Sequence, residues 1–369
     1  MYIWELPDWP SLTWDQDQLT PLIGNVRHEQ GRLLGRMDAL GFNPKLREEA
    51  TLWTLTQDVV TTSEIEGEKL DPSQVRSSVA RRLGMDAAGL PQADRNVEGV
   101  VEMMLDATQN YEQPLTKRRL FGWHASLFPT AYSGMRAIRV AKWRDDSAGP
   151  MQVVSGPIGR EHIHYEAPSA DTLNTEMATF LKWLNTKQEL DLVVKAAIAH
   201  LWFVTIHPFD DGNGRIARAI ADMLLARSEG SAQRFYSMSS QIRVERAEYY
   251  RVLERTQKGT LEVAGWMKWF FECLGRAIDG AEGTLSSVTA KARFWERLAR
   301  EPLNERQVRV LNRLLDGFEG KLTTSKWAKL AHCSQDTAYR DILDLMERSI
   351  LKREPSGGRS TSYSIVGTS

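Results

Sequence analysis

Apolar residues recur at three- and four-residue spacing along almost the whole chain, while alternating apolar–polar runs are confined to two short places. That periodicity restricts the fold to helices packed on helices, with room only for small hairpins. One helix is predicted from about Leu19 to Leu40, ended by Gly41 and Pro44. A second runs from about Lys45 to Ile65, with Leu52, Leu55 and Val59 on one face, and stops at Gly67. Asp71-Pro72-Ser73-Gln74 then restarts a helix, with Asp as N-cap, Pro at the first position and Gln three residues after the cap. Further helical patterns cover 97–110, 116–127, 169–185, 191–206, 215–227, 247–258 and 261–278. Between Arg139 and Pro168 the pattern changes: MQVVSG and EHIHYEAP flank a Gly-Pro-Ile-Gly turn, which predicts a short hairpin.

Beyond Ile278 the segment DGAEGTLSSVTAK reads as looser, a linker or connecting helix over 280–302. From about Leu303 a new unit begins: a helix to Leu315, a second over 326–331, a break at His332-Cys333 and a third to Arg348. Two strands around PSGG follow. Helix, helix, turn, helix and hairpin is the layout of a winged helix. Residues 293–369 carry fourteen basic and ten acidic side chains, a net of +4 against −1 for the whole chain. That asymmetry raises DNA as a partner of 303–369, with Arg340, Lys352, Arg353 and Arg359 as candidate phosphate contacts. Gln335, Asp336 and Asp341 flank the would-be recognition helix, and carboxylates there would repel phosphate.

The balanced charge of 369 residues provides no global field for nucleic acid or membrane. The apolar windows, AAIAHLWFV among them, are too short to span a bilayer, and MYIWELPDWP lacks the pattern of a signal peptide. Cys273 and Cys333 have no metal-ligand spacing and read as free thiols in a reducing cytoplasm. Trp4, Trp9 and Trp14 in the N-terminal 1–44 segment read as core anchors.

The densest chemistry lies in IHPFDDGNGRIARAI, 206–220. Pro208 disfavours helical geometry at His207, which places His207 at the end of an apolar helix and aims it into a loop. Gly212, Asn213 and Gly214 readily take the positive backbone angles that turn successive N–H groups toward one point. A helix starting near Arg215 adds its N-terminus, and together these make an anion site. Arg215 and Arg218 fall on one face of the first turn, where two cations oppose the macrodipole. A bound polyphosphate accounts for them better than helix stability does. Asp211 supplies a carboxylate for Mg²⁺ beside the phosphates, and His207 lies within reach of a hydroxyl to be deprotonated. The plainer reading is a polar loop whose arginines pair with Asp210 or Asp211.

HPFDDGNGRIAR resembles the HPFx(D/E)GNGRxxR motif of the Fic family at every fixed position. The resemblance covers roughly residues 45–275. It implies an all-α fold, a Fic helical core with a short β-hairpin flap over the site, and transfer of AMP from ATP to a Ser, Thr or Tyr hydroxyl of a protein. In that scheme His207 is the general base, Asp211 the Mg²⁺ ligand, and Gly212, Asn213 and Gly214 the phosphate cradle. Arg215 holds the triphosphate and Arg218 the γ-phosphate. Relatives of the Doc type carry Lys at the position of Gly214 and act as kinases. TSEIEG, 62–67, is similar to the (S/T)xxxE(G/N) inhibitory motif of many Fic proteins. Thr62 and Glu66 share a helix face, Gly67 ends the helix, and the resemblance implies that Glu66 pairs with Arg218 and obstructs the γ-phosphate. Glu64 and Glu68 read as solvated charges.

IRVERAEYYRVLE resembles the segment lining the family's adenine pocket. Tyr249 or Tyr250 would contact the base, or either is a core aromatic; Glu245 falls where relatives often have Asn. Ala141 stands where many relatives have glycine, and His200 reads as a core histidine. The expected organisation is a Trp-rich cap (1–44), a Fic core (45–279), a linker or connecting helix (280–302) and a winged-helix-like unit (303–369). The expected activity is a self-inhibited, cytoplasmic adenylyltransferase acting on a target protein or on itself, with a homodimer as a further possibility from the family. Two alternatives use the same residues or the C-terminal unit: removal of AMP from a modified protein, and nucleotide-sensing regulation through DNA.

Overall fold

The computed structural model describes residues 1–39, 44–85, 91–157, 160–298, 301–315, 318, 320–355 and 361–366, in two compact units divided between Gly283 and Thr284. The first unit carries the helices α1 (Gln16–Ala39), α2 (Pro44–Ile65), α3 (Pro72–Arg82), α4 (Arg95–Gln109) and α5 (Lys117–Leu127). Two small hairpins follow, β1 (Tyr132–Ser133) with β2 (Arg136–Ala137), and β3 (Gln152–Ser155) with β4 (His162–Glu166). Next come α6 (Leu173–Asn185), α7 (Leu192–Ile206), α8 (Asn213–Glu229), α9 (Met238–Val244), α10 (Arg246–Gln257) and α11 (Ala264–Arg297). Among the described residues every strand is antiparallel and belongs to a two-stranded pair, so the all-α reading holds. No helix among them is long and apolar enough to cross a membrane.

The organising element is α7. All of Val193–Ile206 is buried, and a helix that is apolar all round must lie at the centre of a bundle. The α8 helix packs along it, burying Ile216, Ala217, Ile220, Met223 and Leu224. Capping follows the sequence signals. Asp71 accepts from Ser73 N–H, Asp94 from Val97 N–H, Thr116 from Arg119 N–H and Asp191 from Val193 N–H, each cap satisfying a donor the helix start leaves free. The α2 helix ends at Ile65, and Gly67 takes φ +85° in the turn beyond it. Gly41 lies outside the described residues, and so do Ile158 and Gly159 of the hairpin turn.

Trp4 and Trp9 anchor, as read, whereas Trp14 donates to its near neighbour Gln16 at 3.0 Å. Trp4 Nε1 donates to Glu166 O at 2.9 Å and Trp9 Nε1 to Glu176 at 3.0 Å, with the Trp9 ring edge-on to Trp202. Tyr2 meets Tyr165 of β4 edge-on, and Tyr165 Oη donates to Thr205 O at 2.5 Å. The root of the second hairpin is thereby fixed against the last turn of α7. Cys273 is buried and Cys333 half-buried, both as free thiols.

The segment read as loose, DGAEGTLSSVTAK, is helical instead: it lies in the second half of the 34-residue α11. Its glycines are outnumbered by good helix formers, and Leu285 and Ala281 are buried. The second unit comprises the end of α11, α12 (Glu305–Leu315), α13 (Thr324–Ala331), α14 (Gln335–Glu347), and the antiparallel pair β5 (Leu351–Arg353) and β6 (Tyr363–Ile365). That is the order of elements expected from the sequence. Its core gathers Val310, Leu311, Trp327, Ile342 and Leu345, and His332 turns the chain between α13 and α14 at φ 51°. Arg340, Lys352 and Arg353 are exposed there, while Arg359 and the Ser-Gly-Gly of PSGG lie outside the described residues. Asp341 does not face solvent: it is buried, taking both Arg306 nitrogens at 3.0 and 3.1 Å and Asn304 Nδ2 at 3.1 Å. Its role is internal, and its charge is spent within the unit.

Candidate functional site

His207 closes α7 in the left-handed region, φ 51° and ψ 57°, with its N–H donating to Phe203 O at 3.0 Å. Its Nδ1 lies 3.2 Å from Val204 O. A carbonyl only accepts, so Nδ1 carries the proton and Nε2 keeps its lone pair. Burial pushes the imidazole down to about 4, helped by Arg144 and opposed by the Val204 hydrogen bond. The ring is therefore neutral at pH 7, in the tautomer a base needs. Arg144 holds the corner, a role not visible in the sequence. Its Nε donates to His207 O at 2.8 Å, its backbone N–H to Pro208 O at 2.9 Å and its Nη1 to Asp146 at 2.8 Å.

The loop from Pro208 to Gly212 is tied from within. Buried Asn213 accepts from Phe209 N–H at 3.0 Å and donates to Phe209 O at 2.8 Å. Its side chain is a clasp, and only its backbone remains for a ligand. Gly212 has φ +81°, and a Cβ there would lie 2.9 Å from Phe128 Cε2; both backbone and space require glycine. Its N–H is occupied, donating to Asp211 Oδ1 at 2.6 Å. Asp211 Oδ2 accepts from the Ser133 hydroxyl on β1, another partner the sequence did not announce. Behind the loop, His124 takes the Ala141 N–H on Nδ1 at 3.2 Å, so its Nε2 donates to Asp211 O, also at 3.2 Å. Burial, first of all, pushes His124 down to about 4, and the ring stacks on Phe209 at 4.2 Å. Ala141 has φ 53°, which explains why glycine suits this position.

Arg218 is 2% exposed and fully surrounded. Its Nε donates to Thr62 Oγ1 at 2.8 Å, and its Nη2 to Thr62 O at 2.9 Å and Glu66 Oε1 at 2.6 Å. Burial lowers its affinity for its proton, but Glu66 outweighs this and raises it above the ordinary value. Nη1 has no hydrogen-bond partner among the described residues. Arg215, stacked over Phe128 with its guanidinium 5.0 Å from the ring centre, donates from Nη1 to Glu68 at 2.6 Å. Glu68 is thus not merely a solvated charge. The turn at Gly67 carries two carboxylates, two residues apart, onto Arg215 and Arg218 of α8. Glu64 reaches Arg243 at 3.1 Å on the surface. Gly214 makes the approach possible, because a Cβ there would lie 2.2 Å from Glu66 Oε1.

The tyrosines separate. Tyr249 is buried, its hydroxyl 2.9 Å from His200 Nε2 and its ring among Trp266 and Trp269. His200 is a core histidine as read, pushed down to about 3 by burial and then by Arg218. Tyr250 is 36% exposed, lies under Arg246 at 5.3 Å, and points its hydroxyl at Ile65 O. Of the two it is the one open to a ligand. Glu245 is not free to take an adenine amine: Arg276 holds it at 2.6 and 2.7 Å, with Gln241 as a further donor.

These elements define a helical protein whose central loop and helix start lie between a neutral histidine at one side and two carboxylate-paired arginines at the other. The chain carries a segment that matches the Fic family. The Fic/DOC family model matches residues 114–225, and a domain of unknown function, DUF4172, matches residues 2–85. The protein adenylyltransferase Fic of Drosophila grimshawi is 32% identical over 114 residues, 30% of this chain and 22% of that protein. The protein of the same name from Drosophila ananassae is 24% identical over 229 residues, 60% of this chain and 41% of that one. The chain thus spans between about a fifth and two fifths of these curated relatives. A solved Fic family protein from Desulfovibrio desulfuricans G20 shares the fold, with a TM-score of 0.52 and 21% identity. That match covers 95% of this chain and 97% of that one.

Proposed function

We propose that this chain is a self-inhibited protein adenylyltransferase, transferring AMP from ATP to a hydroxyl of a protein and releasing pyrophosphate. The observation that carries the reading is the meeting of Arg218 with Glu66 beside the start of α8. A guanidinium fork suited to a terminal phosphate is held by a carboxylate that phosphate must displace.

His207 Nε2 takes the proton from the attacking hydroxyl. That oxygen forms the new bond to the α-phosphorus as the bond to the β-phosphate bridging oxygen breaks. The N–H groups at the start of α8, which have no intrahelical acceptor, and the two arginines neutralise the phosphates. Asp211 offers the hard oxygen donor that Mg²⁺ requires, oriented by Ser133 and the Gly212 N–H; a bound Mg²⁺ would neutralise phosphate charge there. At rest, Glu66 occupies Arg218 and Glu68 occupies Arg215, so both cationic contacts are blocked from one turn. The adenylyltransferase names of the relatives support the chemistry, and glycine at position 214 favours AMP transfer over phosphoryl transfer.

Incubation with ATP labelled in the α- or the γ-phosphate, in Mg²⁺, tests the reading. Label from the α-position alone on protein, lost in His207→Ala, supports AMP transfer. Label from the γ-position would make it a kinase and end the proposal.

A further inference from the structure

His162 and His164 are two apart on β4, so both rings stand on the same side of the strand. Glu254 on α10 faces them. Its Oε2 lies 2.7 Å from His164 Nδ1 and its Oε1 4.0 Å from His162 Nε2, and one donor atom from each residue falls within 4.8 Å of the others. We propose that His162, His164 and Glu254 form a binding site for a divalent transition-metal cation of the Zn²⁺ class, which ties the second hairpin to α10.

Two imidazoles and one carboxylate are a donor set selective for Zn²⁺ and its neighbours rather than Mg²⁺ or Ca²⁺. Ligand atoms on one Zn²⁺ at about 2.0–2.1 Å stand about 3.3 Å apart, so the three need close by little. The surroundings supply outer partners of the kind such sites use. Ser155 Oγ, on the paired strand, lies 2.6 Å from His164 Nε2 and fixes that ring, while Lys258 holds Glu254 Oε1 at 2.7 Å. The three ligands leave further coordination positions open, so the ion would be exchangeable.

The location gives the site consequences. The residue after His164 is Tyr165, which hydrogen-bonds Thr205 just before His207. Glu254 sits one turn beyond Tyr250 on α10. A cation here joins the hairpin beside the candidate base to the helix beside Arg218, and would slow opening of a strand edge suited to an extended peptide.

The test uses the full chain, free of any histidine tag and stripped with chelator, titrated with Zn²⁺ by calorimetry. Wild type is expected to bind one equivalent; His162→Ala/His164→Ala is expected to lose it, and Glu254→Gln to bind at least about tenfold more weakly. Hydrogen exchange in 152–155 and 162–166 should slow on adding Zn²⁺ to wild type and not to the double variant. Equal binding by wild type and double variant, or no binding by wild type, would overturn the site. Bound Zn²⁺ with unchanged exchange in both strands would overturn the tie between hairpin and helix.

Discussion

Glu68 and Arg215, 147 residues apart in sequence, meet at 2.6 Å, two residues along the chain from the Glu66 that reaches Arg218. The pairing makes the turn at Gly67 a two-pronged cover for the helix start, and it assigns the two prongs unequal weight. The Arg218 and Glu66 side chains are 2% and 29% exposed and the Arg215 and Glu68 side chains 6% and 36%, so water screens the second pair somewhat more. Arg218 also takes the Thr62 hydroxyl and carbonyl beside Glu66.

Removing the prongs should therefore raise ATP affinity in a graded way. A charge-assisted hydrogen bond contributes about 1.5–3 kcal/mol, so Glu66→Gly is expected to tighten ATP binding by about ten- to a hundredfold. Glu68→Gln should tighten it by less than about tenfold. Calorimetric titration with ATP and Mg²⁺ checks the ranking, and a larger effect from Glu68→Gln would reverse the assignment.

Gly214 and Glu66 should be coupled. A methyl at 214 would lie 2.2 Å from Glu66 Oε1, so Gly214→Ala must push that carboxylate from Arg218. Unfolding of the two single variants and the double should give an interaction energy of about 0.5–3 kcal/mol, with Gly214→Ala less damaging once Glu66 is glycine. Additive effects would mean that the two positions do not share this space.

Asp58 on α2 predicts a pH dependence of stability. It is completely buried and held up to about 8, first by burial and then by Asp222, with Arg234 and the Ser237 hydroxyl opposing. The unfolded group titrates near 3.8. The folded state binds the extra proton between these values, so stability from this group is present below about 4 and is lost as pH rises through about 8. Asp58→Asn should flatten the fall in melting temperature across that window and raise it at pH 9. An unchanged slope would show that Asp58 is ionised in the folded protein.

His207 predicts the acid limb of activity. With its folded value at about 4, the base form dominates down to weakly acid pH. In Glu66→Gly, kcat/KM should hold between pH 7 and 5 and fall only toward 4. A fall centred near 6.5 would mean that water reaches the ring freely.

The helical fold and the place of the loop were legible in the sequence because each rests on local signals. Of Gly212, Asn213 and Gly214, however, only Gly212 takes a positive φ, since α8 already begins at Asn213. Asp71 caps the helix that its sequence announces, and Pro208 after an apolar run forces His207 out of the helix. The Fic motif itself marked Arg215, Arg218 and Asp211. What the sequence hid depends on contacts between distant segments. Glu68 looked like a surface charge because its partner is on α8, Glu245 looked available because Arg276 is a helix away, and Arg144 and Ser133 carried no motif. Ala141 alone hinted, since a position that tolerates glycine signals a positive φ. Of the two readings of 280–302, linker or connecting helix, the structure has the helix as far as Arg297, because the glycines sit within a long helix whose buried face includes Ala281 and Leu285.

The central claim, that a histidine transfers AMP at a site its own chain covers, is tested most directly by auto-labelling with α-labelled ATP and Mg²⁺. Four forms are compared: wild type, Glu66→Gly, His207→Ala and the double variant. Strong labelling of Glu66→Gly, weak labelling of wild type and none in either His207 variant is the predicted result. Equal labelling of wild type and Glu66→Gly, or labelling that survives His207→Ala, would contradict it.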